Sequence, residues 1–149
     1  MESVNPLCFI LLLGLGSNML MKPCFAQPTE SKVQLPFSRW QVTIYNHMID
    51  STLMVHCKSK DNDLGRHEIK QGDNYFLKFK ENIWQTTQFW CHFSSKYGQV
   101  TGDVFWPEEG SRLSDECNDH NCVWSAQDGG IFLLRGSINS YQLAYPWKK

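Results

Sequence analysis

Residues 53–65 read LMVHCKSKDNDLG, and the reading of the fold turns on how that stretch changes character half-way. Leu53, Val55 and Cys57 occupy one phase of a period of two, and Met54, His56 and Lys58 the other. This spacing predicts a half-buried strand that ends in an inward-facing cysteine. Lys58, Lys60, Asp61, Asn62, Asp63 and Arg66 then make 58–66 strongly polar, with Leu64 as its one large apolar residue. Gly65 supplies the permissive backbone expected where the chain reverses. A covalent staple and an exposed, charged loop are therefore expected side by side.

The same alternation recurs outward from this stretch. Trp40, Val42 and Ile44 predict a first strand, Tyr75, Leu77 and Phe79 another, and Phe89, Cys91 and Phe93 a third within 84–93. Segment 100–106 is read as another strand, 122–126 and 131–135 as the arms of a hairpin flanking the turn signal Asp128-Gly129, 141–145 alternates again, and 67–70 is a short additional candidate. No window keeps helical spacing behind a cap. The chain is expected to be all-β, a small antiparallel β-sandwich of seven to eight strands with two disulfides. Nine Phe, six Trp and five Tyr supply its fillers.

Ahead of the sandwich, 7–16 is a short apolar run and Ala26 offers a small residue for cleavage, so 1–26 reads as a secretory signal peptide. The run is too short to span a bilayer, which takes about 20 residues, and no membrane insertion is expected. Residues 27–39, with Pro28 and Pro36, form an N-terminal arm, and 40–149 the domain. Loss of 1–26 removes Lys22 and Glu2, leaving the net charge at −1. Without a concentrated positive surface, nucleic acid is not an expected partner.

Cys8 and Cys24 leave with the signal, and Cys57, Cys91, Cys117 and Cys122 remain. An even count in a small secreted domain predicts two disulfides, with three possible connectivities. The inward phase of Cys57 and Cys91 favours joining those two, which leaves Cys117 with Cys122 around a short polar loop.

Catalytic and metal chemistry fare poorly. His56-Cys57 and Cys91-His92 are neighbours on strands and point to opposite faces, so neither pair can hold one ion. Counting from Asp61, the glycine and glutamate positions of a calcium loop hold Arg66 and Gly72. No nucleophile elbow, zinc-protease helix or phosphate loop is present. His47, His56, His67, His92 and His120 are dispersed, and a secreted hydrolase or ribonuclease would need two of them in one cleft. Residues 107–121 form a long acidic segment carrying Glu108, Glu109, Arg112, Asp115 and Glu116. Together with Lys58, Lys60, Asp61, Asn62, Asp63 and Arg66 these are the candidate partner-contact residues.

Four islands, WQVTIYN from Trp40, LMVHCKSKDNDLG from Leu53, WQTTQFWCHF from Trp84 and CNDHNCVWSAQDGGI from Cys117, resemble the plant self-incompatibility protein family, the S-protein homologues. The resemblance covers nearly all of 40–147. It implies a secreted plant β-sandwich with two disulfides at the four mature cysteines, no enzymatic activity and no cofactor. It also implies a recognition protein for a cell-surface receptor or other extracellular partner, rejection of self pollen being one such process. A secreted defence-type binding protein is an alternative.

Overall fold

The computed structural model describes residues 39–82, 84, 86–106 and 116–149. The expected signal peptide, most of the arm, and Glu108, Glu109, Arg112 and Asp115 lie outside the described residues. Alternating apolar positions become strands wherever they can face a second sheet. The strands are β1 (Arg39–Asn46), β2 (Leu53–Ser59), β3 (Asp63–Ile69), β4 (Asn74–Lys80), β5 (Phe89–Ser95), β6 (Gly98–Phe105), β7 (Asn121–Gln127), β8 (Gly130–Arg135) and β9 (Ser140–Pro146). One sheet has the order β4-β1-β7-β8-β9 and the other β3-β2-β5-β6. Trp40, Val42 and Ile44 from β1, Leu53, Val55 and Cys57 from β2, Phe89, Cys91 and Phe93 from β5, and Trp124 from β7 fill the space between them.

The all-β sandwich is as expected, with three differences of detail. Nine strands form among the described residues instead of seven or eight, and the short candidate at 67–70 is the end of a longer strand that begins at Asp63, inside the presumed loop 58–66. Ser59 N–H donates to the Asn62 carbonyl at 2.8 Å, so the chain has already reversed by residue 62 and β3 starts at Asp63. As an edge strand β3 buries only Ile69, so it carries no apolar alternation for a sequence to display. Gly65, with φ +78°, sits inside β3 where the pairing shifts between His56 and Lys58, making a bulge and not the reversal.

The second difference is that β1 and β7 pair in parallel, Val42 facing Cys122 and Ile44 facing Trp124, while the remaining strand pairs are antiparallel. The third lies in β9. A register shift between Ile131 and Phe132 puts Tyr145 beside Ile131 and Leu143 beside Phe132. Tyr145 therefore packs inward, stacked on Trp124 at 5.9 Å, while Leu143 is half exposed. One extra residue in a strand moves every later side chain to the other face.

Tyr145 also explains a glycine. Its hydroxyl donates to the Asp103 carbonyl at 3.0 Å, and its ring lies over Gly102 so closely that a Cβ there would meet it at 2.3 Å. With the ring held by both Trp124 and Asp103, Gly102→Ala is expected to destabilise the fold by about 1–3 kcal/mol. Urea unfolding would show this as a lower midpoint at unchanged slope.

Both disulfides lie within the described residues. Cys57 is bonded to Cys91, its direct cross-strand partner, and Cys117 to Cys122. Strand order puts residues 47–52, 70–73, 96–97 and 128–129 at one end of the sandwich, and 60–62, 116–120 and 136–139 at the other.

Candidate functional site

The β2–β3 hairpin is organised by one carboxylate. Asp63 Oδ1 accepts the Gly65 N–H at 2.9 Å and the His56 Nε2–H at 2.6 Å, and Oδ2 lies 3.4 Å from Lys58 Nζ. The Gly65 amide first and the His56 ring second hold the Asp63 carboxyl down at about 2, because each donates to the ionised form. Asp63 is therefore charged at any physiological pH, and its hydrogen bond orients the His56 ring. Beyond this anchor Lys60, Asp61 and Asn62 are exposed in the turn. Of the expected contact loop, then, Lys58 belongs to β2, Asp63 and Arg66 belong to β3, and only Lys60, Asp61 and Asn62 form the turn itself.

The strand register brings together side chains that are far apart in sequence. Arg66 on β3 faces His56 on β2, His56 faces His92 on β5, and His92 faces Thr101 on β6. These four residues form one row across the outer face of the four-stranded sheet. Lys58 and Trp90 sit on one side of the row, Met54 and Ser94 on the other. Together they line an open depression of about 440 Å³. His92 Nδ1 is 2.9 Å from the Thr101 hydroxyl. The sequence hides this row because His56 and His92 each look like a lone polar neighbour of a cysteine. The signal was nonetheless available: once Cys57 opposes Cys91 in antiparallel strands, residue 56 must oppose residue 92.

The second expected region is only partly described. Glu116 is half-buried, its Oε2 3.0 Å from Arg135 Nε in an oblique charge contact, and its carbonyl accepts the Gly136 N–H at 3.2 Å. This ties the segment before β7 to the β8–β9 turn, a structural task that a partner-contact reading of Glu116 did not foresee. Asp119 and His120 both take positive φ, and the His120 ring packs edge-on against Trp40 at 4.7 Å. Of the other histidines, His47 stacks on Tyr45 and lies 2.8 Å from the Ser125 hydroxyl, and His67 stacks on Tyr75. Ser125 is fully buried and so presents no accessible nucleophile. Among the described residues no group of three His, Cys, Asp or Glu side chains could hold a metal ion, and no helix is long and apolar enough to cross a membrane.

A sequence profile described as plant self-incompatibility protein S1 matches residues 41–147, all of the sandwich but the first two residues of β1. The chain belongs to the plant self-incompatibility protein S1 family. Among S-protein homologues of Arabidopsis thaliana, S-protein homolog 74 is 35% identical over 99% of this chain and 95% of its own length. S-protein homolog 1 is 31% identical over 95% and 91%. A solved S-protein homologue structure superposes with a TM-score of 0.58 at 16% identity, covering 76% of this chain and 97% of that one. It is described as a member of a widespread family of small, highly stable, secreted plant proteins. At that identity it supports the fold alone.

Proposed function

We propose that this S-protein homologue is a secreted, non-catalytic ligand that recognises a cell-surface protein through the end of the sandwich carrying residues 60–62. The observation that carries this reading is the construction of the hairpin. Lys60, Asp61 and Asn62 are exposed at the tip, while Asp63 locks the base through Gly65, His56 and Lys58. A polar turn held in one geometry loses little conformational freedom on binding. Family membership supports the extracellular setting, in which the two disulfides persist.

Among the described residues, acid–base catalysis has one foothold, the opposed His56 and His92. Each ring has a nitrogen engaged, by Asp63 or by Thr101, and the pair lies on an open sheet face and not in a water-excluding cleft. Recognition accounts for the surface better.

The test is saturable binding of the oxidised, fluorescently labelled protein to intact plant cells. Protease treatment of the cells should abolish it, and the triple variant K60A/D61A/N62A should weaken it by about tenfold or more. Binding indifferent to the triple substitution, or a chain retained inside cells with residues 1–26 intact, would sink the proposal.

A further inference from the structure

We infer that the depression on the outer face of the four-stranded sheet binds a carboxylate-bearing sugar, in particular an oligosaccharide of uronic acid units. This site is separate from the turn at 60–62. Neighbouring strands lie about 4.8 Å apart, so the row Arg66, His56, His92, Thr101 spans about 14 Å, the width of a short oligosaccharide. The volume of about 440 Å³ falls within the range of small-molecule clefts, about 300–1,000 Å³.

Charge selects the ligand's sign. The lining holds Lys58, Arg66 and two imidazoles, with no Asp or Glu among them. The carboxylates nearest the row are Asp63 and Glu68 on β3 and Asp103 on β6. Asp63 is engaged with His56, Gly65 and Lys58, and Asp103 accepts from the Gln88 amide at 3.0 Å. Glu68 stands opposite Met54, one row away. Arg66 is exposed and has no ion pair among the described residues, leaving its planar fork open for a bidentate carboxylate.

The rest of the lining favours a sugar over a bare anion. Trp90 shares the outward phase of His92 and Ser94 and is half-buried, so it offers a flat apolar plate with an indole N–H at its edge. A pyranose has an apolar C–H face for such a plate, and hydroxyls for Ser94 and Thr101. Inorganic phosphate would leave Trp90 and Met54 unused.

The histidines add polar reach to the middle of the row. The His56 ring is held by its Nε2–H bond to Asp63 and the His92 ring by the Thr101 hydroxyl, so both are positioned before a ligand arrives.

Calorimetric titration of the oxidised protein with a galacturonate trimer tests this. Binding is expected, and should be weakened about tenfold or more by R66Q or H92Q. Both variants replace exposed side chains, and their unfolding curves should match the parent. Equal binding of the methyl-esterified trimer, or no effect of either variant, would overturn the inference. So would inorganic phosphate or an acidic peptide binding as tightly as the trimer. K60A/D61A/N62A should leave trimer binding intact, which separates a failure of this site from a failure of the receptor reading.

Discussion

Asn46→Ala is expected to cost about 3–4 kcal/mol, a large share of the stability of a domain this size. Asn46 is fully buried at the end of β1, and its side chain makes three hydrogen bonds. Nδ2 donates to the carbonyls of Ser51 at 2.7 Å and Ile69 at 2.9 Å, and Oδ1 accepts the Met48 N–H at 3.0 Å. One amide thus joins the β1–β2 connection to the end of β3 across the two sheets. Alanine strands one backbone donor and two acceptors in a buried site, which is costlier than the mean worth of the bonds removed. Asn46→Asp is informative because it is nearly isosteric. It keeps the Met48 bond but sets a carboxylate against two carbonyl oxygens. Its carboxyl should titrate above the usual range, so the loss should be largest at neutral pH and should shrink as acid protonates the group. Urea denaturation of the three proteins at pH 5 and pH 7.5 reads both effects. An Asn46→Ala protein within 1 kcal/mol of the parent would show that Asn46 is not the joint described.

Removing the Cys57–Cys91 bridge is the second large loss. The bond closes a sequence separation of 34, against 5 for Cys117–Cys122. In the chain-entropy account these are worth about 4 and about 2 kcal/mol. Both cysteines of the longer bridge are fully buried, so C57A/C91A also removes packed sulfur from the centre of the four-stranded sheet. The expected outcome is a fall in unfolding free energy of about 4 kcal/mol or more for C57A/C91A and about half of that for C117A/C122A. Equal losses from the two double variants would contradict the loop-length argument. Reductant should reach Cys57–Cys91 only through global unfolding, so the rate of thiol release should track the unfolding rate.

What could be read in the sequence was whatever repeats with a period of two and faces a second sheet. Trp40, Val42 and Ile44, and Phe89, Cys91 and Phe93, announce themselves because burial filters one face of the strand and leaves the other polar. Only the end of β3 could be read, at 67–70, because an edge strand that buries Ile69 alone applies little such filter. The inward turn of Tyr145 went unread because a bulge breaks the period at a single residue. Asn46 gave no signal at all. A polar residue that satisfies buried backbone looks, in sequence, like any turn residue, and only the partners at Ser51 and Ile69 distinguish it. Part of the candidate site could be read for a similar reason. The charged run 58–66 stands out by composition, whereas the row Arg66, His56, His92, Thr101 exists only once four strands are in register.

The parallel pairing of β1 with β7 sets a condition on how the chain can be made. Thr43 and Asn121, hydrogen-bonded at 3.1 Å, are 78 positions apart, and β1 lies between β4 and β7 in its sheet. During synthesis β1 to β6 all emerge while one flank of β1 still lacks its neighbour. The Cys57–Cys91 bond can form in that interval, because both its strands are already available. The five-stranded sheet cannot, since its central strand is still to come. Folding is therefore expected in two stages, with the four-stranded sheet oxidised first and the sandwich closed only after residues 121–127 are released. In that interval β1 is an unpaired edge, the stretch on which a secretory-pathway chaperone would have the longest time to act.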